Sequence, residues 1–459
     1  MTTPPQPTGW YPDRSGAPGR AVGALQPKDD PFYEYTGPLA DILPGTVLKT
    51  RTVSYHIMGI PTLLGTTQLL YRTTSQTLKP TVNVTSVIQP LNLDLRDKTK
   101  VISYQSAYDS LNANDEPSYA ISGGRPTLGG LVPNVELGVF GPFLAEGYTV
   151  IVPDTEGQRA DFAAGPEYGM NTLDSIRAAF NSSTIESDAK VAMLGYSGGA
   201  LATEWAAELA PTYAPDALDV NARLIGAAMG GLLVHPAHNL HYVEGSLIWA
   251  GVMAMALAGI ARAFETDFRP YLSHDGVDIY NGMQNASIVD VLGQYPGLKW
   301  EDLAKPKYKT PESIPLYVET VNKLIMGTGG VPDHATKPTI PLFIGQGARG
   351  ELEGTPGNKQ GIGAGDGVMI TGDVRTLARS YCAKGTTVHY EQYNALSHVW
   401  SLLPWLPNSI AWIKERFADL PVPENCSSIE PGNKLDPIPV PLATHPRPAR
   451  QTRRAPQRK

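Results

Sequence analysis

The chain has 459 residues, of which 42 % are hydrophobic and 18 % are charged. This balance predicts a large buried core, either as one domain with an inserted subdomain or as two to three ordinary domains, and it excludes a disordered chain. The net charge of −7 at pH 7 argues against nucleic acid as the main partner.

Strands and helices alternate along most of the chain. The predicted strands are 67–74, 82–88, 101–105, 148–153, 190–194, 223–228, 340–345 and 387–393. The predicted helices are 136–146, 169–181, 198–209, 371–383 and 406–417. Alternation of this kind predicts an α/β fold with a mainly parallel central sheet and helices on both faces.

A block of about a hundred residues interrupts this alternation with helical stretches and no convincing strand. A helical block inserted between strands of a parallel sheet is the usual form of a cap or lid. We therefore predict a core at 28–232 and 333–430 and a helical lid at 233–332. The longest uncharged apolar run, 246–261, is shorter than the ~20 residues that span a bilayer, so it predicts a buried or lid helix and no transmembrane segment.

The two ends of the chain have a different composition. Residues 1–27 are rich in Pro and Gly and lack the apolar stretch of a signal peptide, so they are predicted to form a flexible arm. Residues 431–459 are rich in Pro and Arg and are predicted to form a tail. A solvated tail is the simpler interpretation, and weak attraction to anionic lipid is the alternative.

The pentapeptide Gly-Tyr-Ser-Gly-Gly at 195–199 carries the clearest chemical pattern. An apolar strand precedes it and a helix-forming run follows, which is the context in which the α/β-hydrolase fold places a nucleophilic serine, here Ser197. Such a serine lies in a strained turn, and side chains at Gly195 or Gly199 would collide with the neighbouring backbone. Tyr196 precedes the serine in this turn. The helix that begins at Gly198 would direct its free N–H groups at an oxyanion. A purely structural glycine-rich turn is the alternative.

A serine hydroxyl needs a base, and in this fold an acid and then a histidine follow the serine along the chain. His398 comes directly after the last predicted strand and is the candidate base, whereas His445 lies in the tail. Asp366 lies at the end of the glycine-rich loop that follows the predicted strand 340–345, and it is the candidate acid. Asp373, inside the next helix, and Asp333, ahead of the strand, are the alternatives that spacing leaves open.

Other polar groups give weaker patterns. One oxyanion donor should be the N–H of Gly198, and the second should come from loop 106–110, where no His-Gly-Gly-Gly stretch identifies it. The histidines His235, His238 and His241 have helical spacing but no acidic partner in the sequence, so no metal site is predicted. No nucleotide-binding loop is present either, so no cofactor is expected.

At these motifs the chain resembles the secretory lipase family of fungi and actinobacteria, from about residue 29 to residue 426. The matching segments are DDPFY at 29–33, LYRTT at 70–74, SYQ at 103–105, PSY at 117–119, EG at 156–157, GM at 169–170, LDSIRA at 173–178 and GYSGG at 195–199. Together they are far more specific than the pentapeptide alone.

The resemblance implies an α/β-hydrolase that cleaves carboxylic esters, with Ser197 as nucleophile, Asp366 as acid and His398 as base. It implies that Asp109 and the N–H of Gly198 form the oxyanion hole. A carboxyl group stabilises an oxyanion only when it is protonated, so Asp109 would need a raised pKa or would act through its backbone N–H.

The resemblance also implies a disulfide between Cys382 and Cys426, which the count of two cysteines by itself left open. Two departures from the family pattern stand out. Asp115 occupies the position of a cysteine that forms another disulfide, and the glycine-rich insert 348–365 precedes the proposed acid and could reshape the rim of the pocket.

The predicted function is serine-dependent hydrolysis of lipid esters, most simply by a triacylglycerol lipase that contacts a lipid–water interface. A short-chain carboxylesterase, an acyltransferase with the same residues and a catalytically silent binding protein are the alternatives. The protein is expected to be secreted or associated with the cell envelope. The lid residues expected to bind the acyl chain are Leu247, Ile248, Trp249, Val252, Met253 and Leu257.

Overall fold

A computed structural model describes residues 24–215, 219–328 and 336–441. Most of the predicted arm, the end of the predicted tail, and the alternative candidates Asp333 and His445 lie outside the described residues. At the start of the described chain, the backbone N–H of Ala24 donates to the carbonyl of Gly123. The division into arm, core, lid and tail remains a prediction.

One sheet of nine strands runs through the described part of the chain, in the order β1-β2-β3-β5-β4-β6-β7-β8-β9. The strands are β1 Val47–Ile57, β2 Ile60–Thr74, β3 Pro80–Ile88, β4 Asp97–Gln105, β5 Tyr148–Pro153, β6 Lys190–Tyr196, β7 Leu224–Gly230, β8 Leu342–Gly347 and β9 Val388–Tyr393. Within the group β4 to β9, every pair of neighbouring strands is parallel. Strand β1 pairs antiparallel with β2, β2 with β3, and β3 with β5. The mainly parallel sheet predicted from the sequence is confirmed.

Strand β1 was not predicted. It joins β2 through a tight turn at Met58 and Gly59, whose φ angles of 51° and 76° match the left-handed backbone that two-residue hairpin turns need. Only Tyr55 of β1 is fully buried, so the strand lacks the clear apolar face by which a sequence pattern reveals a strand.

The helices of the described residues flank the sheet or lie in the segment predicted to be a lid. They are α1 Pro117–Ile121, α2 Leu131–Val135, α3 Leu137–Ala145, α4 Gly165–Asn181, α5 Gly198–Tyr213, α6 Pro236–Val243, α7 Gly251–Ala263, α8 His274–Gly282, α9 Ile288–Val291, α10 Trp300–Leu303, α11 Pro315–Val321, α12 Thr371–Ala383 and α13 His398–Phe417. Helix α13 begins eight residues before the predicted start, and it contains Pro404 and Pro407 although proline usually breaks a helix. His398 therefore stands in its first turn.

Both faces of the sheet are covered, as strand β6 shows. Val191 and Met193 belong to the core between the sheet and helices α4, α5 and α12, whereas Ala192 and Leu194 belong to the core under α3 and α13. Alternate residues of a strand point to opposite faces, so a strand that is apolar at every position is buried on both sides. The predicted α/β arrangement follows from such strands.

The described residues between β7 and β8 form helices α6 to α11 and contain no strand that belongs to the sheet. Their apolar side chains, including those of α7, build a hydrophobic core together with residues such as Phe162 and Met369 from outside this segment. The apolar run 246–261 includes most of α7. Within the described residues, no helix is long and apolar enough to cross a membrane.

The two cysteines form a disulfide, which confirms the implied pairing. Cys382 lies at the end of α12, and Cys426 lies in the segment that follows α13. Next to Cys426, the Asn425 side chain exchanges hydrogen bonds with the backbone of Tyr390 at 2.7 and 2.8 Å. The disulfide and these bonds hold the C-terminal segment against the edge strand β9.

Replacing both cysteines by serine, as Cys382→Ser with Cys426→Ser, should lower the free energy of unfolding by about 2–4 kcal/mol, because the bond closes a loop of 44 residues in the unfolded chain. Urea unfolding followed by circular dichroism measures this change. A reductant should destabilise the wild type by a similar amount and leave the double variant unaffected. Equal stability of the two proteins would contradict the prediction.

Candidate active site

Ser197 lies at the sharp turn between β6 and α5. It has φ 55° and ψ −121°, a conformation that residues other than glycine rarely adopt. The two flanking glycines make this turn possible. A Cβ on Gly195 would lie 2.2 Å from the carbonyl oxygen of Gly199, and a Cβ on Gly199 would lie 2.1 Å from the carbonyl oxygen of Gln105. The collisions expected from the sequence are therefore present.

Three of the predicted side chains meet at the ends of three strands. The Nε2 atom of His398 lies 2.8 Å from the Oγ of Ser197, and the Nδ1 atom lies 2.8 Å from Oδ2 of Asp366. Asp366 is fully buried and His398 is almost so, whereas Ser197 is partly exposed. With Nδ1 donating to the carboxylate, Nε2 is left to accept the proton of the serine hydroxyl.

The carboxylate of Asp366 is held from several sides. Its Oδ1 accepts the backbone N–H groups of Val368 at 3.1 Å and Met369 at 2.7 Å, and its Oδ2 accepts the side-chain amide of Gln346 at 2.9 Å. The backbone N–H of His398 also donates to the carbonyl of Asp366 at 2.7 Å. These bonds fix the carboxylate in the orientation that the imidazole needs.

Burial by itself lowers the pKa of His398, but the adjacent Asp366 carboxylate outweighs it, with smaller contributions from Glu353 and Asp109. The net result is a pKa above the ordinary value of a histidine. Two neighbouring side chains also hold the backbone and the ring of His398 in place. The hydroxyl of Tyr196 donates to the carbonyl of His398 at 2.6 Å, and the ring of Trp249 meets the imidazole edge-on at 5.4 Å.

Asp109 lies in the loop after β4, beside Ser197, with a φ of 37°. A Cβ on Gly198 would lie 1.8 Å from Oδ1 of Asp109, so only glycine allows the carboxyl group this close, and the N–H of Gly198 bonds to it. Burial, opposed by His398 and assisted by Glu136, raises the pKa of Asp109 to about 7. A substantial fraction of this carboxyl group is therefore protonated at neutral pH.

Buried acids hold the loop that carries Asp109. The carboxylate of Glu136 accepts the N–H of Ala107 at 2.9 Å, and Glu156 accepts the N–H of Ser110 at 3.1 and 3.2 Å. On the far side, Asp115 accepts the hydroxyl of Ser110 at 2.6 Å and that of Thr127, where the family resemblance would place a cysteine. The sequence analysis missed these supports, because Glu136 belongs to no motif and Glu156 only to a short match.

An apolar pocket with an empty volume of about 830 Å³, part of it open to solvent, adjoins Ser197. Four of the six predicted lid residues line it, namely Trp249, Val252, Met253 and Leu257. The other two do not line it: Leu247 is 63 % exposed, and Ile248 packs against the hydrophobic core that contains α7.

The three histidines in and next to α6 contact one another or acidic side chains. The rings of His235 and His238 stack at 3.8 Å. His238 pairs with Asp373 at 3.0 Å, and His241 pairs with Glu312 at 2.6 Å. Acidic partners thus exist, although the sequence showed none. Across the three described ranges, no group of three His, Cys, Asp or Glu side chains could hold a metal ion. Asp373, the alternative acid, is bound to His238 rather than to His398.

The order of strands and the serine at the turn after β6 define the class of the protein as an α/β hydrolase. The secretory lipase family model matches residues 126–425. A Mycobacterium tuberculosis protein named "Probable inactive lipase" is 32 % identical over 413 residues, which cover 88 % of this chain and 86 % of that protein. Lipase 4 of Candida albicans is 30 % identical over 414 residues, which cover 88 % and 84 %.

The same similarity appears among solved structures. The X-ray structure of Candida antarctica lipase A in its closed state matches with a TM-score of 0.76 and 25 % sequence identity, over 92 % of this chain and 93 % of that chain. The chain belongs to the secretory lipase family. The resemblance inferred from the sequence is thereby confirmed.

Proposed function

We propose that this protein hydrolyses carboxylic esters through a serine acyl-enzyme and that lipid esters such as acylglycerols are its preferred substrates. The observation that carries the proposal is the hydrogen-bonded series Ser197, His398 and Asp366 beside an apolar pocket. Membership of a family of lipases supports ester hydrolysis in general, and the substrate and the roles of the residues are the proposed part.

In the first half of the reaction, the Oγ of Ser197 attacks the ester carbonyl carbon while Nε2 of His398 takes the hydroxyl proton. The carboxylate of Asp366 stabilises the imidazolium that forms. The tetrahedral intermediate collapses when the bond to the alcohol oxygen breaks, and that oxygen takes the proton from His398. Water then attacks the acyl-enzyme by the same route and regenerates the serine.

The oxyanion of each tetrahedral intermediate needs donors that are in place before the reaction. The N–H of Gly198, at the beginning of α5, is the first proposed donor. The protonated carboxyl group of Asp109 is the second, and a pKa of about 7 supports this role. In the resting site these two groups contact each other, so a substrate oxygen would have to separate them.

The preference for lipids rests on the pocket. Apart from Asp109, Ser197, Asn239 and Tyr317, the side chains around it are apolar, and several come from the lid. An acyl chain gains roughly 0.8 kcal/mol for each methylene group that it buries, so an apolar pocket favours longer acyl chains over acetate.

A catalytically silent protein is the second candidate, because one relative is named "Probable inactive lipase". The hydrogen bonds of Ser197 and His398 favour activity in this chain. Labelling of Ser197 by a fluorophosphonate, which requires an activated serine, distinguishes the two candidates.

We also propose that the protein acts outside the cytoplasm. Its family is described as secretory. The disulfide between Cys382 and Cys426 agrees with this location, because such bonds persist in oxidising compartments.

An exposed apolar patch supports contact with a lipid–water interface. Leu247, Leu352, Val399, Trp400 and Leu403 are each between 53 % and 65 % exposed. They come from three adjoining segments, since the N–H of Leu247 bonds to the loop that carries Leu352, and that loop also bonds to the N–H of Val399. Contiguous exposed apolar side chains of this kind commonly mark interaction sites.

Replacing Ser197 by alanine should reduce the hydrolysis of p-nitrophenyl butyrate at least ~10³-fold, because the nucleophile is removed. The same comparison over esters from acetate to palmitate shows which acyl length the wild type prefers, and we expect kcat/KM to rise beyond butyrate. An unchanged thermal unfolding midpoint is the control for folding. Full activity in Ser197→Ala would remove the proposed nucleophile.

The value of kcat/KM should rise with pH as His398 loses its proton and fall again as Asp109 ionises around pH 7, because the donor form of Asp109 is the acid form. Burial, assisted by the nearby carboxylate of Glu136, raises the pKa of Asp109, and the imidazole of His398 and the N–H of Gly198 oppose this shift. Asp109→Asn keeps a neutral donor and should lack the alkaline fall, whereas Asp109→Ala should lose about 10²–10³-fold in kcat. An identical alkaline fall in Asp109→Asn would exclude this role.

Replacing Trp400 and Leu403 together by serine should lower the rate on emulsified tributyrin about tenfold or more, because two large apolar side chains no longer enter the interface. The kcat/KM for dissolved p-nitrophenyl butyrate should change less than about twofold, since neither side chain lines the pocket. Leu63→Ser, at an exposed position of the β1–β2 hairpin, is the matched control. Equal losses on both substrates would count against interfacial contact at this patch.

A further inference from the structure

The glycine-rich insert 348–365 contains an acid that the proposed mechanism does not use. A short 3₁₀ helix, Gly350–Glu353, turns the side chain of Glu353 inward, where it is 6 % exposed. The preceding Leu352 is 53 % exposed. An acidic side chain is rarely buried to this extent unless several donors compensate for its lost hydration, so the partners of Glu353 indicate what it does.

Both carboxylate oxygens of Glu353 are engaged. Oε1 accepts the backbone N–H of Val399 at 2.9 Å, and Oε2 accepts the indole N–H of Trp249 at 2.7 Å. Val399 follows His398 in the first turn of α13, and the Trp249 ring meets the imidazole of His398 edge-on at 5.4 Å. One side chain thus links the proposed base, the start of its helix and the lid.

The residue after Asp366 is adapted to this link. Gly367 has a φ of 130°, and a Cβ there would lie 2.8 Å from Oε2 of Glu353 and 3.0 Å from the indole nitrogen of Trp249. A larger residue would force the carboxylate and the indole apart. The loop that presents Asp366 therefore leaves room for Glu353 directly beside the acid.

We propose that Glu353 is a positioning residue of the site: its carboxylate fixes the first turn of α13, and with it His398, and holds Trp249 of the lid against the imidazole. This inference rests on the proposed function, because it assigns Glu353 a role through His398. A carboxylate at a helix N-terminus is favourable in itself. Its negative charge also favours the imidazolium that forms when His398 takes the serine proton.

A purely structural role would give a different result from a positioning role. A structural carboxylate affects folding stability, but it leaves the protonation of His398 unchanged. A positioning carboxylate also raises the pKa of His398, together with the carboxylates of Asp366 and Asp109 that face the same ring. The titration of His398 therefore separates the two roles.

The decisive variant is Glu353→Gln, which keeps the size of the side chain but removes its charge and one of its two acceptor oxygens. We expect the pKa of His398 to fall by about half a unit or more, because one of its stabilising charges is lost. The acid limb of kcat/KM should move to lower pH by the same amount. For p-nitrophenyl butyrate, kcat should fall about five- to tenfold with little change in KM.

The titration is read from ¹³Cε1-labelled histidine by NMR, with the His398 signal assigned by its loss in His398→Asn. Glu351→Gln, an exposed acid of the same short helix, is the matched control and should leave the titration unchanged. A folded Glu353→Gln protein in which His398 titrates as in the wild type would overturn the inference. If Glu353→Gln does not fold, Glu353→Asp replaces it. That variant keeps the charge but retracts it from both donors, and unchanged kcat and His398 titration there would equally overturn the inference.

The NMR titration needs no ester hydrolysis, so the two proposals can fail separately. A wild type without Ser197-dependent activity would disprove the proposed function, and the titration would still decide whether Glu353 acts on His398. Conversely, an active enzyme with an unchanged titration in Glu353→Gln would leave the hydrolase intact and remove only the role of Glu353.

Discussion

The buried hydrogen bond between Asp366 and His398 is the interaction on which the proposed chemistry depends. Both groups are almost inaccessible to water, so the attraction between carboxylate and imidazole is strong, and each would be costly to bury alone. The bond requires two strands, β8 and β9, to end side by side, because Asp366 follows the first and His398 follows the second. The parallel sheet is thus a condition of the site, since it brings distant segments to one edge.

Buried acidic groups are equally important in the loop after β4, which carries Asp109. Many enzymes of this fold use a glycine-rich loop there, whereas here the buried acids Glu136, Glu156 and Asp115 hold the loop by accepting its N–H and hydroxyl groups. Carboxyl groups packed together resist ionisation. The arrangement that orders the loop therefore also helps to keep the proposed donor, Asp109, in its protonated form.

Local patterns predicted much of the site, and long-range contacts supplied the rest. The turn at Ser197 and the strand before His398 were readable because each depends on a few consecutive residues. Spacing alone could not choose Asp366 over Asp373, since the loop between strand and acid has no regular period, and the family resemblance made that choice. The link from Glu353 to Trp249 was beyond prediction, because it joins residues that are about a hundred positions apart and share no motif.

The predicted lid and the proposed base meet at that link. Helices α6 to α11 share one hydrophobic core with Phe162 and with Met369, so their packing extends to the loop that carries Asp366. Trp249 both lines the pocket and donates to Glu353, whose other oxygen holds the first turn of α13. Any movement of the lid that withdraws the indole must break this hydrogen bond and free a carboxylate beside His398. The pocket and the proposed base are thereby joined through one side chain.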